Sequence, residues 1–162
     1  MKKAALTTTL LATSIYLTTP ALAENPAWKQ GKTETAHDIT VYHSPSCGCC
    51  KGWIDHLKEH NFNVKSIEMD NVDPIKQQHG VPQQTASCHT AVIDGKVIEG
   101  HVPAQDIKAL LASSNDTRLL AVPGMPSGGP GMDWKGARQD AFKVYAQSHD
   151  GKISVFRDYQ DY

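Results

Sequence analysis

The sequence predicts an α/β domain: a central mixed sheet flanked by helices, with a Gly/Pro-rich loop and a C-terminal β-hairpin. Three observations predict it. Short β-forming runs alternate with stretches whose apolar residues recur at helical spacing. A Cys47-x-x-Cys50 turn stands between the first such run and the first helical stretch. Two further runs meet at Asp94-Gly95, the signature of a two-residue hairpin turn.

Taken in order, residues 1–23 read as a secretory signal peptide. Lys2 and Lys3 form a basic head, Ala4–Thr19 a mostly apolar stretch, and Ala21-Leu22-Ala23 a small-x-small cleavage site. Residues 24–37 are polar and irregular and are expected to be a flexible lead-in. A domain is expected over residues 38–162. In it, Ile39-Thr40-Val41-Tyr42 alternates as a strand does. Ser46 or Cys47 is placed to cap a helix from about Cys49 to His60, with Trp53, Ile54 and Leu57 on its apolar face. Asn61-Phe62-Asn63 turns the chain into a second strand, Val64–Met69, whose last residue is expected in the core. Asp73-Pro74 signals a short helix with Asp73 as its N-cap. The hairpin follows over Thr90–Ile93 and Lys96–Gly100, and Pro103 opens a helix that turns Ile107, Leu110 and Leu111 inward. Residues 113–141 hold "VPGMPSGGPGM", which is loop by composition. Phe142–Gln147 and Lys152–Phe156 read as a closing hairpin around Asp150-Gly151. The order β-α-β-α-β-β-α, with a CxxC turn after the first strand, is thioredoxin-like.

Charge narrows the function. Without residues 1–23 the chain keeps 14 Lys and Arg against 17 Asp and Glu, a formal charge of −3. It has no basic excess for nucleic acid, and no stretch after the signal is long and apolar enough to span a bilayer. HExxH, Ser-His-Asp and phosphate-binding glycine patterns are missing.

The cysteines carry the chemistry. Three of the four, Cys47, Cys49 and Cys50, lie within "SPSCGCCKGW". In an exported chain thiols tend to pair, but bridging adjacent Cys49 and Cys50 needs strained geometry. The turn delivers them to a helix N-terminus, where the dipole favours thiolate; Gly48 is expected to permit a tight bend and Lys51 to add positive charge. In the thioredoxin-like frame the loop before the third strand faces this turn. It reads Ala86-Ser87-Cys88-His89, so Cys88 is expected to bring a fourth sulfur. Four thiolates repel one another unless a cation joins them. Zinc can close a four-cysteine site, but adjacent cysteines suit it poorly. Copper(I) is soft, takes two or three sulfurs and tolerates bridging, so several Cu(I) ions are favoured. Met125 and Met132 in the Gly/Pro loop offer thioethers, and His43 and His89 flank the turn and Cys88 as further ligand candidates; His101 is weaker. His56 and His60, at i and i+4, are read as solvated, and His37, His79 and His149 as loop residues.

"VYHSPSCGCCKGWIDHLKEHNF", "GVPQQTASCHTAVIDGKVIEGHVPAQDIKALL" and "AVPGMPSGGPGM" together resemble the CopG-type periplasmic copper-resistance family over about residues 38–158. The resemblance implies a thioredoxin-like fold holding a multinuclear copper–thiolate cluster on Cys47, Cys49, Cys50 and Cys88. It also implies a role in periplasmic copper homeostasis, with redox activity between Cu(I) and Cu(II), alongside other copper-handling proteins. Two other readings stand beside it: a thiol–disulfide oxidoreductase using Cys47 and Cys50, and a structural zinc module. Whether the chain turns over as an enzyme is left open.

Overall fold

The computed structural model describes residues 25–162; the expected signal peptide and its cleavage site lie outside them. Seven strands form one mixed sheet in the order β2-β1-β3-β4-β5-β6-β7. They are β1 (His37–His43), β2 (Phe62–Glu68), β3 (His89–Ile93), β4 (Lys96–Glu99), β5 (Thr117–Ala121), β6 (Phe142–Ser148) and β7 (Ile153–Tyr159). The helices are α1 (Gly48–Glu59), α2 (Asp73–Gln78) and α3 (Ala104–Ala112). The β1/β2 and β4/β5 pairs are parallel and the rest antiparallel. This is the thioredoxin-like arrangement with a three-strand extension. Among the described residues no helix is long and apolar enough to cross a membrane.

Strand alternation splits the apolar residues between two faces. Ile39, Val41, Ala91, Ile98 and Leu120 join Trp53 and Leu57 of α1 and Ile107 and Leu110 of α3 in the main core. Val97, Leu119 and Ala121 form a smaller cluster with Val81. On the β3–β4 strands, Thr90 and Glu99 alternate with main-core residues and are reached by Lys76 of α2. The β3–β4 turn puts Asp94 and Gly95 at φ 47° and 74°, both positive as the tight hairpin turn requires.

Several expectations are corrected. The lead-in is anchored: Pro26–Lys29 forms a 3-10 turn, and Trp28 is fully buried against Phe142, Tyr159 and Tyr162. Burying one such ring contributes about 3 kcal/mol, enough to hold a short polar segment down. Asp73 lies inside α2; Val72 is the cap residue, and the Asn71 side chain accepts the Asp73 N–H at 2.9 Å. Met69 is only half-buried. Within residues 113–141, Thr117–Ala121 is a strand, stabilised by its parallel pairing with β4. His56 and His60 are buried: the His56 Nε2 accepts the Ala104 N–H at 3.1 Å, and His60 bonds the Trp28 carbonyl.

Candidate metal centre

Cys47 caps α1, its sulfur accepting the Cys50 N–H at 3.3 Å. The first helical turn therefore carries Cys49 and Cys50 directly behind the cap. Gly48 has ordinary backbone angles and open space around it, so the turn does not depend on glycine there. Lys51 leans to Glu68, 3.6 Å away at the surface. Cys47 and Cys50 are joined by a disulfide, with Cα atoms 5.3 Å apart, while Cys49 and Cys88 are free thiols.

Cys88 arrives from the loop before β3. Its sulfur lies 3.5 Å from that of Cys50, and the Cys49 sulfur lies 3.5 Å from that of Cys47. All four sulfurs fall within 4.8 Å of one another. The Met125 thioether stands 4.0 Å from the Cys49 sulfur, on a side chain 56% exposed. Burial, aided by neighbouring Cys49, pushes the Cys88 thiol up to about 12. The Cys88 sulfur therefore holds its proton until a cation replaces it.

The Cys88 loop is held by a buried carboxylate. Glu99, fully enclosed, accepts the Ser87 N–H at 2.6 Å and the Thr90 hydroxyl at 2.7 Å, and pairs with Lys76 at 2.5 Å. One side chain thus fixes the chain on both sides of Cys88. Burial raises the Glu99 carboxyl, while Lys76 and the hydrogen bonds pull it back. The Gly/Pro loop is held by close packing. A Cβ at Gly131 would overlap the Trp53 amide nitrogen and come within 2.8 Å of the Cys49 carbonyl oxygen. Only glycine, at φ 78°, lets that loop lie on the first turn of α1.

The candidate ligands separate accordingly. His89 joins the site, its Nδ1 3.3 Å from the Cys88 sulfur, with its ring 4.4 Å from that of Trp53 and tilted at 37° to it. His101, the weaker candidate, is equally close: its Nε2 lies 3.3 Å from the same sulfur. His43 is not brought in; its ring nitrogens bond the Ser44 carbonyl at 2.9 Å and the Ser66 hydroxyl at 2.7 Å. Met132 contributes backbone turns to Gly128 and Gly129. Glu99 and Lys76 were missed. The one signal was an acid placed inside an otherwise apolar strand, "KVIEG".

A family model described as "Protein of unknown function, DUF411" matches residues 85–132, which hold Cys88, His89, His101, Met125 and Met132. Among solved structures, "Copper resistance protein copG- Form 2" is 44% identical with a TM-score of 0.74, covering 78% of this chain and 100% of that one. Its Form 1 is 45% identical with a TM-score of 0.73, covering 77% and 98%. The chain belongs to the CopG family. No curated protein matches it. For a CopG-family chain, the matched region holds the Cys88 loop and the Gly/Pro loop, while the Cys47–Cys50 turn and the N-terminal Trp28 anchor fall outside the family-model match.

Proposed function

We propose that this chain is a periplasmic copper-binding protein of copper homeostasis, taking several Cu(I) ions on Cys47, Cys49, Cys50 and Cys88. One observation carries the reading: two free thiols lie 3.5 Å from the two sulfurs of a CxxC pair, on segments about forty residues apart. A single small ion uses four sulfurs best when they surround it. Here two come from neighbouring residues of one helical turn, an arrangement that suits sulfurs shared between ions. The donor set fits a soft monovalent cation, since each Cu(I) offsets one thiolate. Met125 supplies a neutral sulfur at the open side. Copper is cargo in this reading. The name of the related structures supports copper, and the Lys2-Lys3 head with Ala21-Leu22-Ala23 supports export. Other periplasmic copper-handling proteins are the partners it implies.

The disulfide sets a condition on loading. A reducing dithiol supplies two electrons and two protons, is itself oxidised to a disulfide and leaves two thiols, and only then are four sulfurs available as ligands. Interconversion of Cu(I) and Cu(II) on this site, one electron passing to or from an external one-electron redox partner, belongs to the same proposal.

A second reading, thiol–disulfide exchange by Cys47 and Cys50, is favoured by the disulfide at a helix N-terminus. Against it, Cys49 and Cys88 each stand beside a disulfide sulfur and would capture a mixed disulfide internally. The test is metal content and free thiols on protein purified anaerobically from copper-fed cells. Several coppers per chain, with all four thiols blocked until chelation, is the expected result. Cys88→Ser lowers copper per chain with the fold intact. Copper-free protein that cycles its disulfide and reduces insulin as thioredoxin does would overturn the reading.

A further inference from the structure

The sulfur cluster does not exhaust the donors at Cys88. Its sulfur is met from a second side by two imidazoles, His89 Nδ1 and His101 Nε2, each 3.3 Å away. The three donor atoms lie within 4.8 Å of one another. The two rings stand 5.0 Å apart and nearly perpendicular, at 79°. Both histidines are fully buried, and Cys88 is partly exposed.

We propose that Cys88, His89 and His101 form a second metal position, a thiolate–bis-imidazole pocket for one borderline divalent cation, copper(II) foremost, which persists when Cys47 and Cys50 are joined. It shares Cys88 with the proposed Cu(I) cluster but does not depend on that cluster.

The tautomer of His101 is fixed by chemistry. Its Nδ1 lies 2.8 Å from the Pro130 carbonyl oxygen, which can only accept. The proton therefore sits on Nδ1, and Nε2 presents a lone pair to the sulfur. A carbonyl behind one ring nitrogen is how ligating histidines are commonly oriented. His89 is held instead by the packing of its tilted ring against Trp53. Bond lengths of about 2.3 Å to sulfur and about 2.05 Å to nitrogen place S and N roughly 3.6–3.8 Å apart around a four- or three-coordinate ion. The observed 3.3 Å needs only a few tenths of an ångström of opening.

The donor set differs in kind from the four cysteines. Imidazole nitrogen is harder than thiolate and suits divalent copper, which binds N/S sites most tightly among the divalent first-row ions. Binding replaces the Cys88 thiol proton with the metal, so one proton is released per ion bound. The disulfide removes Cys47 and Cys50 from the cluster; its Cys50 sulfur lies 3.5 Å from that of Cys88 but leaves Cys88 a free thiol and takes up neither histidine. The oxidised protein thus loses its soft site and keeps this one.

The experiment uses metal-free, disulfide-oxidised protein carrying Cys49→Ser, with Co(II) as the probe because it does not oxidise thiols. The expected result is one Co(II) per chain, with a sulfur-to-cobalt charge-transfer band and the intense visible bands of a low-coordinate ion. His101→Gln and His89→Gln each weaken binding by more than about 100-fold, the upper end of what loss of an outer partner costs. Cys88→Ala, which leaves both imidazoles and their packing in place, abolishes the band. Circular dichroism checks that each variant is folded. Absence of the band in the parent, or a band that Cys88→Ala leaves unchanged, overturns the pocket. Cu(I) uptake by the reduced protein is measured in parallel. Co(II) binding without multiple Cu(I) sinks the cluster and spares the pocket, and the reverse result sinks the pocket alone.

Discussion

Acid should destabilise this protein through His56, and the size of the effect follows from where the ring sits. His56 is 5% exposed on α1, and its Nε2 accepts the first N–H of α3, from Ala104, at 3.1 Å. The helix has no side-chain cap of its own, so the imidazole satisfies a donor that would otherwise be orphaned. Burial drives His56 from 6.5 down to about 4; Asp133 and Glu59 oppose the shift, and Lys32 and Lys108 add to it. The neutral form is thus the folded form. The stability it contributes is complete above the unfolded value of 6.5 and is lost as pH falls toward 4. At about 1.4 kcal/mol per pH unit, the whole loss is about 3.4 kcal/mol, and the part between pH 7 and pH 5 is about 2 kcal/mol. That is a large fraction of a stability of about 5–15 kcal/mol. Urea unfolding of chelator-treated protein at the two pH values should show the midpoint falling by about 1 M. His56→Gln keeps an acceptor for Ala104 and cannot titrate, so its midpoint should fall much less. His89 and His101, also lowered by burial, supply the remaining slope. A His56→Gln variant as acid-sensitive as the parent would refute the reasoning.

Gly131→Ala should cost about 2 kcal/mol or more, because the new methyl overlaps the α1 backbone; a thermal midpoint within a degree of the parent would contradict the packing. Glu99→Ala should cost about 3–5 kcal/mol by stranding Lys76, whose side chain is 13% exposed, whereas Lys76→Met with Glu99→Gln should recover most of it; equal destabilisation in chemical denaturation would argue against the ion pair. Met125→Ala should weaken Cu(I) affinity only several-fold in a competition titration, since a neutral, exposed thioether 4.0 Å from one sulfur adds no charge; complete loss of copper would give Met125 a larger role.

The parts of the fold legible in the sequence were those set by local chemistry. The CxCC turn, the Asp94-Gly95 hairpin and the apolar face of α1 each follow from residues close in the chain. Placing Cys88 opposite the turn needed the thioredoxin-like frame as well, and the frame delivered it because β3 pairs directly with β1. What escaped depended on distant partners. Thr117–Ala121 has no alternation of its own because Leu119 and Leu120 are buried on opposite faces, and its pairing with β4 on one edge and β6 on the other makes it a strand. His56 and His60 at i and i+4 look like a solvated pair until Trp28 and α3 close over them. Asp73 resembled an N-cap, but Asn71 reached its backbone N–H first. His101 was undervalued because its orientation comes from the Pro130 carbonyl, twenty-nine residues later.

The Gly/Pro loop explains why ligands from three segments can meet with any precision. Gly131 lies on the first turn of α1, next to Cys49. Pro130 orients His101. Gly124 donates to the Ala86 carbonyl and accepts from the Ser87 hydroxyl, tying the Met125 end of the loop to the Cys88 segment. Each contact is made by backbone or at a residue where a side chain would intrude. The composition that marks the stretch as loop therefore also lets it approach two other backbones at once. Glycines in the same region are not equivalent on this account. Gly136 has nothing near its missing side chain and carries only its φ of 86°, whereas Gly131 is closed in by α1. Metal affinity should accordingly follow substitutions at Gly131 and be nearly indifferent to Gly136→Asn, where asparagine tolerates the left-handed backbone. Equal losses at the two glycines would show that the loop acts by general stiffness rather than by these specific contacts.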